Sequence, residues 1–142
     1  MQNCNRGGHP EIRDYGPEPF VFNINHATNK NQNFRTTLWT GRDMQLTLMS
    51  IPANCDIGVE MHSNVDQFIR VENGHAKVYM GSCQNDLHEI KCVNENYAII
   101  IPAGTWHNIV NAGNCPLKIY SIYAPPQHSA GTVHKTKADA KH

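Results

Sequence analysis

The sequence has no apolar run long enough to cross a bilayer as a helix, so no membrane-spanning helix is expected. It also lacks an excess of either charge: twelve basic residues balance twelve acidic ones over 142 residues. That balance argues against a surface built for nucleic acid or an anionic membrane, and neither partner is expected. No apolar segment follows Met1–Arg6, so no secretory signal is expected there. The five cysteines (Cys4, Cys55, Cys83, Cys92, Cys115) are odd in number and include no Cys-x-x-Cys pair. A thiolate metal site or a disulfide framework is therefore not expected, and free thiols in a reducing cytoplasm are. Helical periodicity is missing between residues 34 and 124, and no internal repeat is visible.

What the chain does have is a series of short β-prone runs. Phe34–Thr40, Met44–Ile51, Ile57–His62, Gln67–Val71, Ala76–Met80, Leu87–Val93, Tyr97–Ile101, Thr105–Val110 and Leu117–Tyr123 are separated by turn residues. Asn73-Gly74 is a strong hairpin signal. This spacing predicts an all-β domain over 34–124, a sandwich or a jelly-roll barrel. Residues 1–33 read as an irregular arm; the five asparagines between Asn23 and Asn33 suggest a loop. Residues 125–142 read as a short tail, with one short helix or none.

Two stretches carry the chemistry. In Gly58–Gly74, Glu60 and His62 are two apart, so a strand presents both on one face. Gln67 opens the next strand. In Tyr97–Asn111, Pro102-Ala103-Gly104 forms a tight turn and His107 stands just beyond it. Glu60, His62, Gln67 and His107 can thus meet at one point. Two imidazoles and one carboxylate suit divalent iron and leave open positions; Zn²⁺, Mn²⁺ and Ni²⁺ are also compatible. One divalent transition metal is the expected cofactor, with Gln67 as a weak ligand or the holder of a bound water. Glu60 is the candidate general base. A purely structural reading has to bury Glu60 without a cation, which is costly.

These stretches resemble the two cupin motifs. Gly58, His62 and Gly74 fit the first; Pro102, Gly104, His107 and Asn111 fit the second. Glu60 stands where the first motif has its first His, Gln67 where it has Glu, and Asn96 where the second motif opens with Gly. The resemblance implies a single-domain cupin jelly-roll barrel (a double-stranded β-helix). The ligand set is also similar to that of type I phosphomannose isomerases, with Gln and Glu exchanged. The chain looks closer to small single-domain cupins of the mannose-6-phosphate-isomerase-like type. The expected activity is a metal-dependent reaction, such as isomerisation, on a sugar (phosphate) or another small polar metabolite. A non-haem iron dioxygenase and a metal- or metabolite-binding cupin without turnover are the alternatives. Phe68, Arg70 and Trp106 are expected to face outward and to form a homodimer surface. His128 and His134, in the tail, could fold over the barrel mouth.

Overall fold

The computed structural model describes residues 8–140. The first ordered element is α1 (Ile24–Lys30), where a loop is expected. Asn23 is its N-cap: the backbone there is extended and the side chain accepts a hydrogen bond from the His26 N–H at 2.9 Å. The asparagine-rich composition that suggested a loop thus supplies the cap, and Ala27 and Thr28 bury the inner side of the turn.

Nine strands follow. They are β1 (Arg35–Thr40), β2 (Gln45–Ile51), β3 (Asp66–Asn73), β4 (Ala76–Gly81), β5 (His88–Val93), β6 (Ala98–Ile101), β7 (Trp106–Asn111), β8 (Leu117–Ala124) and β9 (Val133–His134). A 3₁₀ turn at Lys137–Ala140 ends the described chain. Two antiparallel sheets form, ordered β6-β3-β8-β2-β1-β9 and β5-β4-β7. This is the jelly-roll architecture of the cupin fold, but the sheets are not closed into one hydrogen-bonded barrel. The expected strand at Ile57–His62 is also reduced: it makes only isolated bridges, Asp56 to Val110 and Glu60 to His107. Gly58 lies between them at φ +94°, and a left-handed residue there breaks a continuous ladder.

The larger sheet has two unlike faces, and the register shows how. Residues directly opposite share a face. The rows Gln45–Tyr123–Gln67–Ile101, Thr47–Ser121–Ile69–Ile99 and Met49–Ile119–Val71 point inward. With Val78, Val93 and Ile109 of the smaller sheet, their apolar members form the core between the sheets. The opposite face carries Leu46, Leu48, Tyr120, Ile122 and Phe68. The arm covers it, through Ile12, Tyr15, Phe20, Phe22 and Ile24. That covering explains why β2 is buried at every position instead of alternating. It also gives Phe68 a partner within its own chain, where an exposed dimer surface is expected. Arg70 makes an ion pair with Glu72 at 3.2 Å and donates to Asn96 Oδ1 at 2.8 Å. Four cysteines, Cys55, Cys83, Cys92 and Cys115, are free thiols; Cys4 lies outside the described residues.

Asp14 ties three parts of the chain together. Its carboxylate accepts from the Gly16 N–H (2.9 Å), the Thr40 N–H (3.1 Å), the Thr40 hydroxyl (2.6 Å) and the Gly131 N–H (3.1 Å). Burial opposes ionisation, but these hydrogen bonds outweigh it and hold the carboxyl below its ordinary 3.8. A depressed carboxyl contributes stability that is complete above its unfolded value and is lost as pH falls through the folded one. Asp14→Ala is expected to cost about 1 kcal/mol at pH 7, a low figure because the group is partly exposed. The difference from the parent should shrink in urea melts at pH 3. A difference independent of pH would remove the carboxylate from the account.

Candidate metal centre

Local backbone geometry brings Glu60, His62 and His107 together. Glu60 and His107 exchange both backbone hydrogen bonds, at 3.0 and 2.9 Å, so their side chains leave on the same face. The next constraint is the Pro102–Gly104 turn. Gly104, at φ +85°, donates its N–H to His62 O at 2.8 Å, and the Ala103 N–H is held by Asp66 Oδ1 at 2.9 Å. The turn therefore fixes His62 from one side while its other end leads into β7 and His107. Asn96 precedes β6 at φ +75°, the left-handed region. Asparagine reaches that region more readily than most residues, which explains how it replaces the expected glycine.

The three side chains converge: their ligand atoms all lie within 4.8 Å of one another. Glu60 Oε1 is 3.3 Å from His62 Nε2 and 3.5 Å from His107 Nε2. The His107 side chain is fully buried, and its Nδ1 is 2.9 Å from Thr105 O. A carbonyl can only accept, so Nδ1 carries a proton, and a ring with that one proton turns its Nε2 lone pair toward the centre. That Nε2 has no hydrogen-bond partner, since 3.5 Å to Glu60 is too long for one. A carboxylate oxygen and an imidazole nitrogen thus face each other at 3.5 Å with no hydrogen bond between them. This is the donor set a divalent cation completes. Burial raises the Glu60 carboxyl, but the adjacent His107 and His62 imidazoles, which favour the anion wherever they turn a proton toward it, outweigh burial and bring it down to about 2. The group is therefore an anion at any working pH.

Gln67 is placed differently. It is 3% exposed on the inner face of β3, beside Tyr123, and its Nε2 donates to Ser121 Oγ at 3.2 Å. Its Oε1 is buried without a partner. Tyr123 links this residue to the centre, its ring meeting the His62 ring edge-on at 5.8 Å. Burial pushes the Tyr123 hydroxyl up to about 12, so it stays protonated.

A cavity of about 510 Å³ opens on Glu60 and His62. Its far wall is the tail, which contributes Gln127, His128, Ser129, Thr132 and His134. The tail is laid down rather than loose. β9 pairs with β1, and buried Gln45 accepts the Gln127 and His128 N–H groups while donating to His128 O at 2.8 Å. Lys137 adds an ion pair to Asp56. Two cavity features were missed in the sequence. One is the strand β9, too short to show a period. The other is Arg35, which lines the cavity from β1. The signal for Arg35 was present: a charged residue inside a run that otherwise reads as a strand core.

Comparison with known proteins follows the same lines. Residues 47–123 match the cupin domain family. The uncharacterized protein YrkC of Bacillus subtilis (strain 168) is 58% identical over 129 residues, covering 91% of this chain and 69% of that protein. The crystal structure of BH2720 from Bacillus halodurans has a TM-score of 0.89 at 58% identity, covering 91% of this chain and 98% of that one. At the level of fold alone, KdgF from Halomonas sp. has a TM-score of 0.57 at 16% identity, covering 66% of this chain and 78% of that one. No helix among the described residues is long and apolar enough to cross a membrane.

Proposed function

The chain belongs to the cupin family, and on that premise we propose that it is a metal-dependent enzyme acting on a small polar metabolite. Glu60, His62 and His107 are the proposed ligands of one divalent cation, with Gln67 Oε1 as a fourth donor or the holder of a water. The observation that carries this reading is the buried, partnerless Nε2 of His107 facing Glu60 Oε1 at 3.5 Å. When bound, a divalent cation there supplies a Lewis acid that polarises a carbonyl or hydroxyl oxygen. The chain's own residues do the rest. Thr105 O fixes the His107 ring, and the Pro102–Gly104 turn fixes His62. Glu60 is first an anionic ligand, because a carboxyl held at about 2 is a weak base. Only its Oε1 engages the imidazoles, which leaves Oε2 as the atom for any proton taken from substrate.

The cavity bears on the alternatives. A site that only stored metal has no need of about 510 Å³ of open space against its ligands. An oxygenase acting on an apolar substrate calls for an apolar wall, whereas polar and charged side chains outnumber the apolar Phe34, Ile57, Met61 and Ala140 in this one. A sugar-phosphate isomerase of the mannose-6-phosphate type calls for a cluster of cations, and the lining holds one guanidinium and no lysine. The reading that fits is a reaction on a small polar metabolite in which the metal binds an oxygen. Elemental analysis of protein purified without chelator should find about one divalent metal per chain, in keeping with the single ligand cluster among the described residues. Aerobic and anaerobic substrate screens of the loaded protein then separate oxygenase from isomerase chemistry. A chain that neither retains nor takes up a divalent metal would falsify the proposal.

A further inference from the structure

We infer that Arg35 is an anion anchor: the cavity takes a small carboxylate-bearing metabolite, its carboxylate on the guanidinium and its other oxygen functions toward Glu60, His62 and His107. The orientation rests on the metal-site reading above; the anchor itself does not.

The argument begins with a buried charge. Arg35 is 4% exposed. It lies two residues before Thr37, which pairs with Thr47 on the inward row, so alternation turns Arg35 inward too. Arginine does not shed its proton in a protein. A buried guanidinium therefore needs an anion, and without one it is strongly destabilising. The described residues do not provide that anion: no aspartate or glutamate among them forms an ion pair with Arg35. Its Nη1 donates to His134 Nδ1 at 3.2 Å, and the guanidinium carbon sits 5.4 Å from the centre of the Phe34 ring. Its Nε is buried with no partner.

The surroundings describe the missing partner. Arg35 shares its cavity with Glu60 and His62. The tail brings Ser129 and Thr132 to the same wall, together with His128, whose Nε2 is also buried and partnerless. Glu60 is the anion of this lining and its Oε1 faces the two imidazoles, whereas Arg35 bonds to His134 of the tail. A guanidinium there, beside Ser129 and Thr132, is a carboxylate receptor. The lining has one guanidinium and no lysine, so it matches one negative charge better than the two of a phosphate monoester. Its volume, about 510 Å³, suits a small metabolite.

The test uses the full chain stripped of metal by chelator and dialysis, with lactate, its uncharged amide lactamide, and inorganic phosphate as probes. Calorimetry and thermal melts read binding to the parent, to Arg35→Gln and to Arg35→Lys. Lactate is expected to bind and stabilise the parent, with phosphate weaker and lactamide inert. Arg35→Gln should weaken lactate at least about tenfold, as loss of one partner of a buried charge pair does, and should leave metal uptake unchanged. Equal lactate binding by parent and Arg35→Gln overturns the inference, as does a parent that binds no lactate, binds lactamide equally, or prefers phosphate. If neither variant folds, the parent melts decide: stabilisation by lactate but not lactamide supports the anchor, and equal melts overturn it. A parent that binds lactate through Arg35 but takes up no metal keeps the anchor and removes the metal reading. The reverse result removes the anchor alone.

Discussion

A His107→Ala chain is expected to bind divalent metal at least about a hundredfold more weakly than the parent. The magnitude follows from a lesser change: loss of an outer partner that merely orients a ligand already costs about 10–100-fold, and His107 is itself the proposed ligand. His62→Ala should behave alike. Glu60→Gln keeps the shape and removes the only anionic donor, so it should weaken binding without abolishing it. Gln67→Ala should have the smallest effect, because a neutral amide oxygen is the weakest donor of the four. Glu60→Gln also discriminates between two accounts of the 3.5 Å contact with His107. If Nε2 is a lone pair, the new amide can donate to it, and the metal-free variant should melt at or above the metal-free parent. If the ring is instead a buried imidazolium paired with Glu60, the same substitution removes an ion pair and lowers the melting temperature. The Thr105 carbonyl holds a proton on Nδ1 in either case, so the melt is what separates the two accounts. Should Gln67→Ala lose metal while Glu60→Gln retains it, the roles of these two residues are exchanged. Should all four variants bind like the parent, the metal lies elsewhere.

In the convergence of Glu60, His62 and His107, the two-residue spacing and the Pro-x-Gly turn are local and were legible. The bridge from Glu60 to His107 and the Gly104 bond to His62 join distant parts of the chain, and only the match to two motifs pointed to them. The covering of the outer sheet face was not legible in the same way. Tyr15, Phe20 and Phe22 have no local periodicity, and what places them is a face built by β2, β3 and β8, far along the sequence. The same reason hid the burial of β2 on both sides. α1 was missed because propensity counted Asn23–Asn33 as loop-forming, while one asparagine in the capping position decided the matter. Barrel closure was over-read. A run of short strands predicts two packed sheets, but whether their edges join depends on Gly58 and on bridges that are only one residue long. Arg35 shows the complementary limit: alternation gives the direction of its side chain, but only the fold reveals that no carboxylate among the described residues pairs with it.

Asn111→Ala is expected to destabilise the chain by about 3 kcal/mol, through exposed ends of three broken hydrogen bonds in a site that water enters poorly. Asn111 is 5% exposed at the end of β7. Its Nδ2 donates to Ile51 O and to Cys115 O, both at 2.9 Å, and its Oδ1 accepts from the Gly113 N–H at 2.8 Å. One side chain thus joins the end of β2, the end of β7 and the loop entering β8. Its own N–H reaches Cys55 O at 2.9 Å, anchoring the turn that leads to Glu60, but alanine keeps that bond. In a chain of this size the loss corresponds to a fall in melting temperature of roughly 10 °C. Asn111→Asp should be worse than alanine, because it keeps the Gly113 bond but sets a carboxylate against two carbonyl oxygens. This motif residue therefore acts on the frame: His107 lies four residues back on the same strand, and Asn111 does not line the cavity. Below its melting temperature Asn111→Ala should bind metal with the parent's stoichiometry. A variant that melts like the parent sinks the structural role, and one that keeps its melting temperature but loses metal moves Asn111 into the site itself.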